Sequence, residues 1–414
     1  MVVRALGIIL FFSSSLVAQD TLRITLSQAD SLLIHRNLNL VASRYEIDIA
    51  AAEKIQAKLF SNPELSTEWN LYNPARPRWF DVGYNGQKII ALEKVFQIAG
   101  QRNTAIKLSE EKKRMTEFEY EALVRSLRHE LHVAFHRYYF LNSAVNNIDS
   151  QLELLKNLIR VYSEQYEKGN ISLQELTRLN TTYFSINKQI KDVQLEQVKL
   201  QETLRILLAQ DRFVLPYATS FPSYDITGMA VDDLILQALA ERPEIKSVRS
   251  QQQQRQLRYS LAKKEAMPNL TAGVVYDQAG SYIDNYTGVT VGFQIPIFNR
   301  NQGNIQVARI GIAQGEKLAL AVEQKIVNEV QSAWQTFNLL LSQYAEVGEH
   351  HEEELNLLSD GLISNYSKNN ISLLEFTDLF EAYNTNIIQY NQLKADLNAA
   401  YEELNYAVGK DIRN

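Results

Sequence analysis

Cysteine is absent from the 414 residues, which excludes disulfides, thiol nucleophiles and thiolate metal sites. Positive charge is not in excess either. Lys and Arg number 42 against 48 Asp and Glu, a formal net charge of −6, and nothing in that balance recommends nucleic acid as a partner. The motifs of nucleotide hydrolysis (G-x-x-x-x-G-K-[ST]), serine hydrolysis (G-x-S-x-G) and zinc proteolysis (H-E-x-x-H) are all missing. The nearest approach, His129-Glu130-Leu131-His132, spaces its histidines three apart instead of four. An enzyme is not expected, and no catalytic residue or cofactor is assigned. Long apolar runs are lacking as well. The run Ala5 to Phe12 falls well short of the roughly 20 residues a membrane-spanning helix needs, and no later segment approaches that length. With Arg4 before it and Ser13-Ser-Ser-Leu-Val-Ala18 after it, residues 1–18 read as a secretory signal peptide. The mature chain is thus expected to be exported without a membrane helix.

What the chain does contain, it contains twice. Tyr166-Glu-Lys-Gly-Asn-Ile-Ser-Leu-Gln-Glu-Leu-Thr177 returns as Tyr366-Ser-Lys-Asn-Asn-Ile-Ser-Leu-Leu-Glu-Phe-Thr377, offset by 200 residues with eight of twelve positions identical. The match thins but persists through Leu179/Leu379, Tyr183/Tyr383, Gln189/Gln389 and Asp211/Asp411, so the architecture is duplicated. Gly169-Asn170 and Asn369-Asn370 tolerate positive φ and suit helix C-termini. Ser172 with Glu175, and Ser372 with Glu375, have the spacing of capping boxes. Each copy predicts helix, tight turn, helix, with the turn as the tip of a long hairpin.

Taken in order, 27–60 is helical in pattern and ends before Asn62-Pro63. Leu65, Thr67, Trp69 and Leu71 then alternate with Glu64, Ser66, Glu68 and Asn70, the period of a strand. Residues 73–80 read as a loop, and 88–96 as a second strand with poorer alternation. From Tyr120 to Tyr166 apolar residues recur at spacings of four and three, which specifies coiled-coil packing over a helix from 103 to 168. A return helix covers 172–210, and Pro216 and Pro222 break the chain in a linker, 212–230. Short helices follow, from Asp232 to Arg242 and on to Met267, then strands 270–277 and 286–297. A second long helix, 304–368, carries the seam Ile326, Val330, Ala333, Phe337, with Val327, Trp334 and Leu341 beside it. Two adjacent seams imply helical neighbours on both sides, as in the wall of a tube.

The expected fold is mainly α with a small β part, in two repeats covering 19–211 and 231–414 with β-hairpins at 63–96 and 268–298. Four strands cannot close a barrel, since the smallest transmembrane barrels need eight. Strands with one apolar face in an exported protein therefore imply a barrel shared between chains.

Here the sequence resembles the TolC family of outer-membrane efflux proteins over essentially the whole mature chain. Leu26-Ser-Gln-Ala-Asp-Ser-Leu-Leu33 and Glu241-Arg-Pro-Glu-Ile245 look like the starts of the family's two halves, and the two tip turns match its hairpins. Gln294-Ile-Pro-Ile-Phe-Asn-Arg-Asn-Gln-Gly-Asn-Ile305 resembles the strand-to-helix junction of the heavy-metal (CzcC/CusC-like) branch. The resemblance implies a homotrimer, with a shared 12-stranded transmembrane β-barrel continuing into a periplasmic α-barrel of coiled-coil hairpins. It implies as partners outer-membrane lipid, a periplasmic adaptor (membrane fusion protein) and, through it, an inner-membrane RND-type pump. Some members of that branch are lipoproteins; this chain, without cysteine, cannot be anchored that way.

By spacing from the turn, the family's periplasmic gate falls on Glu375 and Asp378, with Glu175 and Tyr366 as further matches. Three copies would form rings of carboxylates that favour cations and raise one another's pKa. The bland reading makes Glu375 a cap residue only. The family's arginine, two residues past the turn glycine, is Ile371 here, which leaves a Tyr–Asp–Arg lock without its cation. The adaptor is expected to dock on the tips, Gly169-Asn-Ile171-Ser-Leu173 and Asn369-Asn370-Ile371-Ser372-Leu373, whose Ile and Leu read as exposed. His129, His132, His136 and His350-His351 read as surface histidines, and Gln251 to Gln254 as a polar helix face. The function expected is a passive exit duct for divalent metal cations. The alternatives are a duct for drugs or secreted proteins, and a secreted coiled-coil interaction protein.

Overall fold

The computed structural model describes residues 21–217, 224, 228–280, 282–348 and 351–412; the signal peptide and part of the linker lie outside them. In chain order the elements are β1 (Thr21–Ile24), α1 (Leu26–Arg36), α2 (Leu38–Lys58), β2 (Glu64–Trp69), β3 (Tyr72–Asn73), β4 (Arg78–Trp79), β5 (Lys88–Phe96), α3 (Gln101–Glu167), α4 (Leu173–Leu208) and β6 (Phe213–Pro216). They continue with α5 (Val231–Glu241), α6 (Pro243–Glu265), β7 (Leu270–Asp277), β8 (Tyr286–Phe293), α7 (Gln302–Val347), α8 (His351–Ser367) and α9 (Leu373–Val408). The duplication is visible in the elements themselves. Helices α4 and α9 have 36 residues each and start 200 positions apart. Two compact units emerge, each drawing on both repeats.

The first unit comprises the chain up to Leu38, Ser126–Gly228 and Ala333–Tyr406. Its core is the predicted seam. Leu141, Val145, Ile148, Leu152 and Leu155 of α3 pack with Ile186 and Ile190 of α4 and with Phe380 and Ile387 of α9. The unit also holds a feature absent from the sequence reading: β1 and β6 pair in parallel, Thr21 opposite Phe213 and Ile24 opposite Pro216. Two predicted helices are broken. The 27–60 helix divides at Asn37, whose buried side chain leaves the helical register and donates to the Leu207 carbonyl at 3.0 Å. The 304–368 helix divides at Gly348, which takes φ +86°, a conformation cheap for glycine alone.

The histidines are a further correction. His132 is largely buried between α1 and α9, with Nδ1 3.0 Å from a Glu402 carboxylate oxygen and Nε2 3.0 Å from Asp30. His129 stacks on Tyr406 at 4.8 Å, His136 is buried, and His351 meets the Tyr390 ring edge-on at 5.1 Å. His350 lies outside the described residues. Burial opposes charge on His132, but the hydrogen bonds to Asp30 and then Glu402 outweigh it and hold the imidazole at about 9. A folded pKa raised above the ordinary value stabilises fully below about 6.5, and that stabilisation, roughly 3 kcal/mol, is lost as pH rises through about 9. The helical melting temperature should therefore fall between pH 6.5 and 9.5, and His132→Gln should flatten most of that slope.

The second unit comprises Asn39–Arg125, Met229–Ser332 and the chain from Ala407. Its sheet has the order β2-β5-β7-β8, antiparallel throughout, with β2 and β8 at the edges. Register gives it two unlike faces. One row, Leu65–Leu92–Val274–Val289, is apolar and exposed, and the next, Glu64–Glu93–Gly273–Thr290, is polar or small. The poorly alternating 88–96 stretch is β5, as read; β8 ends at Phe293, four residues short of its expected end. The 73–80 loop holds a small hairpin, β3 with β4. Gln254 is not on a solvated face: it is buried and donates to the Glu111 carbonyl at 3.3 Å. In the Glu241-Arg-Pro-Glu-Ile245 motif, Arg242 is buried and bonded to Glu244, to Glu329 at 2.6 Å and to the Ala407 carbonyl. Glu244 is also paired with Arg125, and Glu329 with Lys325, so Arg242 is the buried centre of a wider ion-pair network.

Candidate functional site at the helical tips

The two tips are built alike because they are built from the same residues. Gly169 takes φ +75° and Asn369 φ +58°, ending α3 and α8. The amides of Asn170 and Asn370 then close onto the Gln165 and Asn365 carbonyls, each at 2.9 Å. Ser172 N donates to Glu175 Oε2 at 2.8 Å while Glu175 N donates back to Ser172 Oγ at 3.2 Å. Ser372 and Glu375 repeat both distances. Both boxes are complete, so Glu175 and Glu375 cap their helices in the single chain. Donation from the serine amide, then from its hydroxyl, holds both carboxyls below the usual range.

Asp378 has a cation after all. Arg178 Nη1 lies 3.1 Å from its Oδ1, and the two occupy the same position of the two repeats. The side chains are 40% and 67% exposed, so the pair is worth at most about 1 kcal/mol and is readily reversible. Tyr366 does not touch Asp378; its hydroxyl bonds that of Tyr162, and its ring stacks on Phe376 at 4.4 Å. Burial, the Tyr162 hydrogen bond and the nearby Glu175 charge all push the Tyr366 hydroxyl well above its ordinary pKa. The tyrosine is a neutral donor or acceptor at any physiological pH. Between α4 and α9 the polar contacts continue, with Ser185 Oγ on Glu381 at 2.8 Å and Arg137 bridging Glu196 and Asp396. The two hairpins are thus joined at their tips by weak polar contacts above a strongly apolar core.

Arg178, and the pairing of the seam residue Tyr162 with Tyr366, escaped the sequence reading. Laying one repeat on the other would have set Arg178 against Asp378 as opposite charges at one position. The docking residues also need correction. Ile371 and Leu373 are half-buried and pack on the core, whereas Leu173 and Leu374 are exposed. Among the described residues no group of three or more His, Asp or Glu could hold a metal ion, and no helix is long and apolar enough to cross a membrane.

Residues 234–353 match the family model of the outer membrane efflux proteins. The chain is similar to the cobalt-zinc-cadmium resistance protein CzcC of Cupriavidus metallidurans, 22% identical over 321 residues, covering 77% of this chain and 72% of that protein. Among solved structures, the CmeC outer membrane channel of Campylobacter jejuni aligns over 94% of this chain and 87% of its own, with a TM-score of 0.76 at 16% identity. CusC aligns over 93% and 92%, with a TM-score of 0.72 at 17% identity. These matches bear out the resemblance read from the sequence, the fold class and the outer-membrane location with its periplasmic extension. The matched proteins are channels, not enzymes.

Proposed function

From its place among outer-membrane efflux proteins, we propose that this chain is the exit duct of a tripartite efflux system, passing divalent metal cations to the exterior. The observation that carries the reading is the sheet. It has an exposed apolar face, a polar face, and two edge strands, β2 and β8, with no further partner strand among the described residues. In a bilayer both edges must be paired. Three copies, with β2 of each beside β8 of the next, close a barrel of twelve strands from four per chain. The polar faces then line the lumen.

Glu375, Asp378, Glu175 and Tyr366 are assigned to the periplasmic gate, with Arg178 added as the cation that latches Asp378. Rings of carboxylate at a constriction favour cations over anions. The metal substrate draws on that acidity and on the likeness to a cobalt-zinc-cadmium resistance protein. Deleting the chain from its host should raise cell-associated zinc, cobalt or cadmium and leave drug tolerance unchanged. Lost drug tolerance with unchanged metal content would make it a drug duct instead.

The tips are assigned to the periplasmic adaptor and, through it, an RND-type pump. Exposed apolar side chains in a periplasmic turn mark a partner surface, here Leu173 and Leu374. Replacing both with Asn should abolish efflux while leaving the yield of assembled protein intact. Loss of assembly in that variant would make the two leucines structural.

A further inference from the structure

Between α6 and α7, within the second unit, runs a groove of about 640 Å³ that neither the duct nor the gate uses. Glycine shapes its floor. Arg255 leaves α6 and lies across α7, its Nη1 donating to the Gly311 carbonyl and to Gln314 Oε1, each at 3.0 Å. A Cβ at Gly315 would fall 2.6 Å from Arg255 Cδ, so only glycine lets the stem lie there. The sheet-proximal end is fixed by the stretch Asn299-Arg-Asn-Gln-Gly-Asn304. Asn301, at φ +56°, donates to the Ala262 carbonyl at 2.8 Å and accepts from Asn304 Nδ2 at 2.7 Å, which ties the end of α6 to the first turn of α7.

The charge of the groove is one-sided. Arg258 follows Arg255 by three residues, about 4.5 Å along the same face of α6. Neither guanidinium has an ion-pair partner among the described residues, and no acid lines the groove. Arg255 bonds only neutral acceptors, and its Nε is buried without a hydrogen bond. The chain treats its other shielded arginines differently: Arg125, Arg137 and Arg242 are each held by carboxylates. Two like charges three residues apart repel, and an anion between them removes the repulsion. Helix α7 begins at Gln302, so the positive end of its dipole lies at the same mouth. The facing wall is aliphatic. Val307 and Ile310 are 70% and 59% exposed there, beside Ala308.

We infer that this groove binds an amphiphilic anion, its phosphate or carboxylate held by Arg255 and Arg258 and its apolar body laid against Val307 and Ile310. The volume is that of a small-molecule site, which falls between roughly 300 and 1,000 Å³. A bare inorganic anion would leave the aliphatic wall unused, and a neutral lipid would leave the two cations unmatched.

Photolabelling of the full-length protein tests the site, in nanodiscs of zwitterionic phosphatidylcholine with a diazirine-bearing dodecanoate as probe and adducts mapped by peptide mass. Adducts should concentrate on the 304–314 segment. Excess dodecyl phosphate should reduce them about tenfold, the scale of a lost charge-assisted contact, while dodecanol and inorganic phosphate should not. Arg258→Glu, at an exposed position, should reduce them as much and leave the thermal melt unchanged. Phosphatidylglycerol added to the nanodisc separates the two sources of such a head: competition marks a phospholipid of the leaflet, its absence a free periplasmic anion, and either supports the site. No adduct in the groove, as when a second copy covers it, would overturn the inference. Full labelling of Arg258→Glu, or equal competition by dodecanol or by inorganic phosphate, would overturn it as well.

Discussion

Arginine at position 289 is expected to cut outer-membrane assembly sharply, while arginine at 290 is tolerated. Val289 sits in the central row Leu65–Leu92–Val274–Val289 and is 77% exposed on the apolar face. A guanidinium there faces hydrocarbon, at a cost of about 2–4 kcal/mol near the midplane. In the proposed three-chain barrel that cost is paid three times. Thr290 points the other way, toward Glu93, whose carboxylate its hydroxyl reaches at 3.2 Å. Arginine at 290 would meet a carboxylate and water. Val291, one row nearer the sheet end and level with Lys94, should show an intermediate loss, since the penalty falls toward the interface. Outer-membrane yield of the three variants, read by fractionation, checks the order; equal yields would refute the assignment of faces.

The second large effect is expected at the gate. In Glu375→Gln/Asp378→Asn the cap survives, because glutamine serves a capping box as glutamate does, but the ring charge is gone. Cation selectivity in a planar bilayer should fall, and block by multivalent cations from the periplasmic side should disappear. Because the cap hydrogen bonds depress the Glu375 carboxyl, block in the parent protein should persist to more acidic pH than an ordinary carboxylate would allow. Arg178→Gln separates latch from charge. It keeps both acids, so selectivity and block remain, but it frees Asp378. Three lost pairs at up to about 1 kcal/mol each would raise open probability by as much as about 100-fold. Unchanged selectivity and block in the double variant would reduce Glu375 to a cap and Asp378 to a surface partner.

Which of these features the sequence disclosed follows from the range of the interactions behind them. The seam from Leu131 to Leu155, the capping boxes and the matched helices α4 and α9 depend on neighbours within a few turns, and periodicity or spacing exposes them. The helix break at Asn37 depends on a carbonyl 170 residues away, and nothing local marks it. Strands β1 and β6 have four residues each and pair across the length of a repeat, too short for any period to register. His132 and Gln254 look solvated because their partners, Glu402 and Glu111, are remote in sequence. The same holds at the candidate gate. Glu375 as a cap is a matter of three residues, whereas the Asp378 latch requires Arg178, 200 positions earlier.

The central claim, that one chain supplies a third of a membrane barrel, is tested most directly by native mass spectrometry of the protein extracted from the outer membrane in mild detergent. The account predicts three chains per particle, converting to a single chain only on heating. A monomer recovered from the soluble periplasmic or secreted fraction would contradict it.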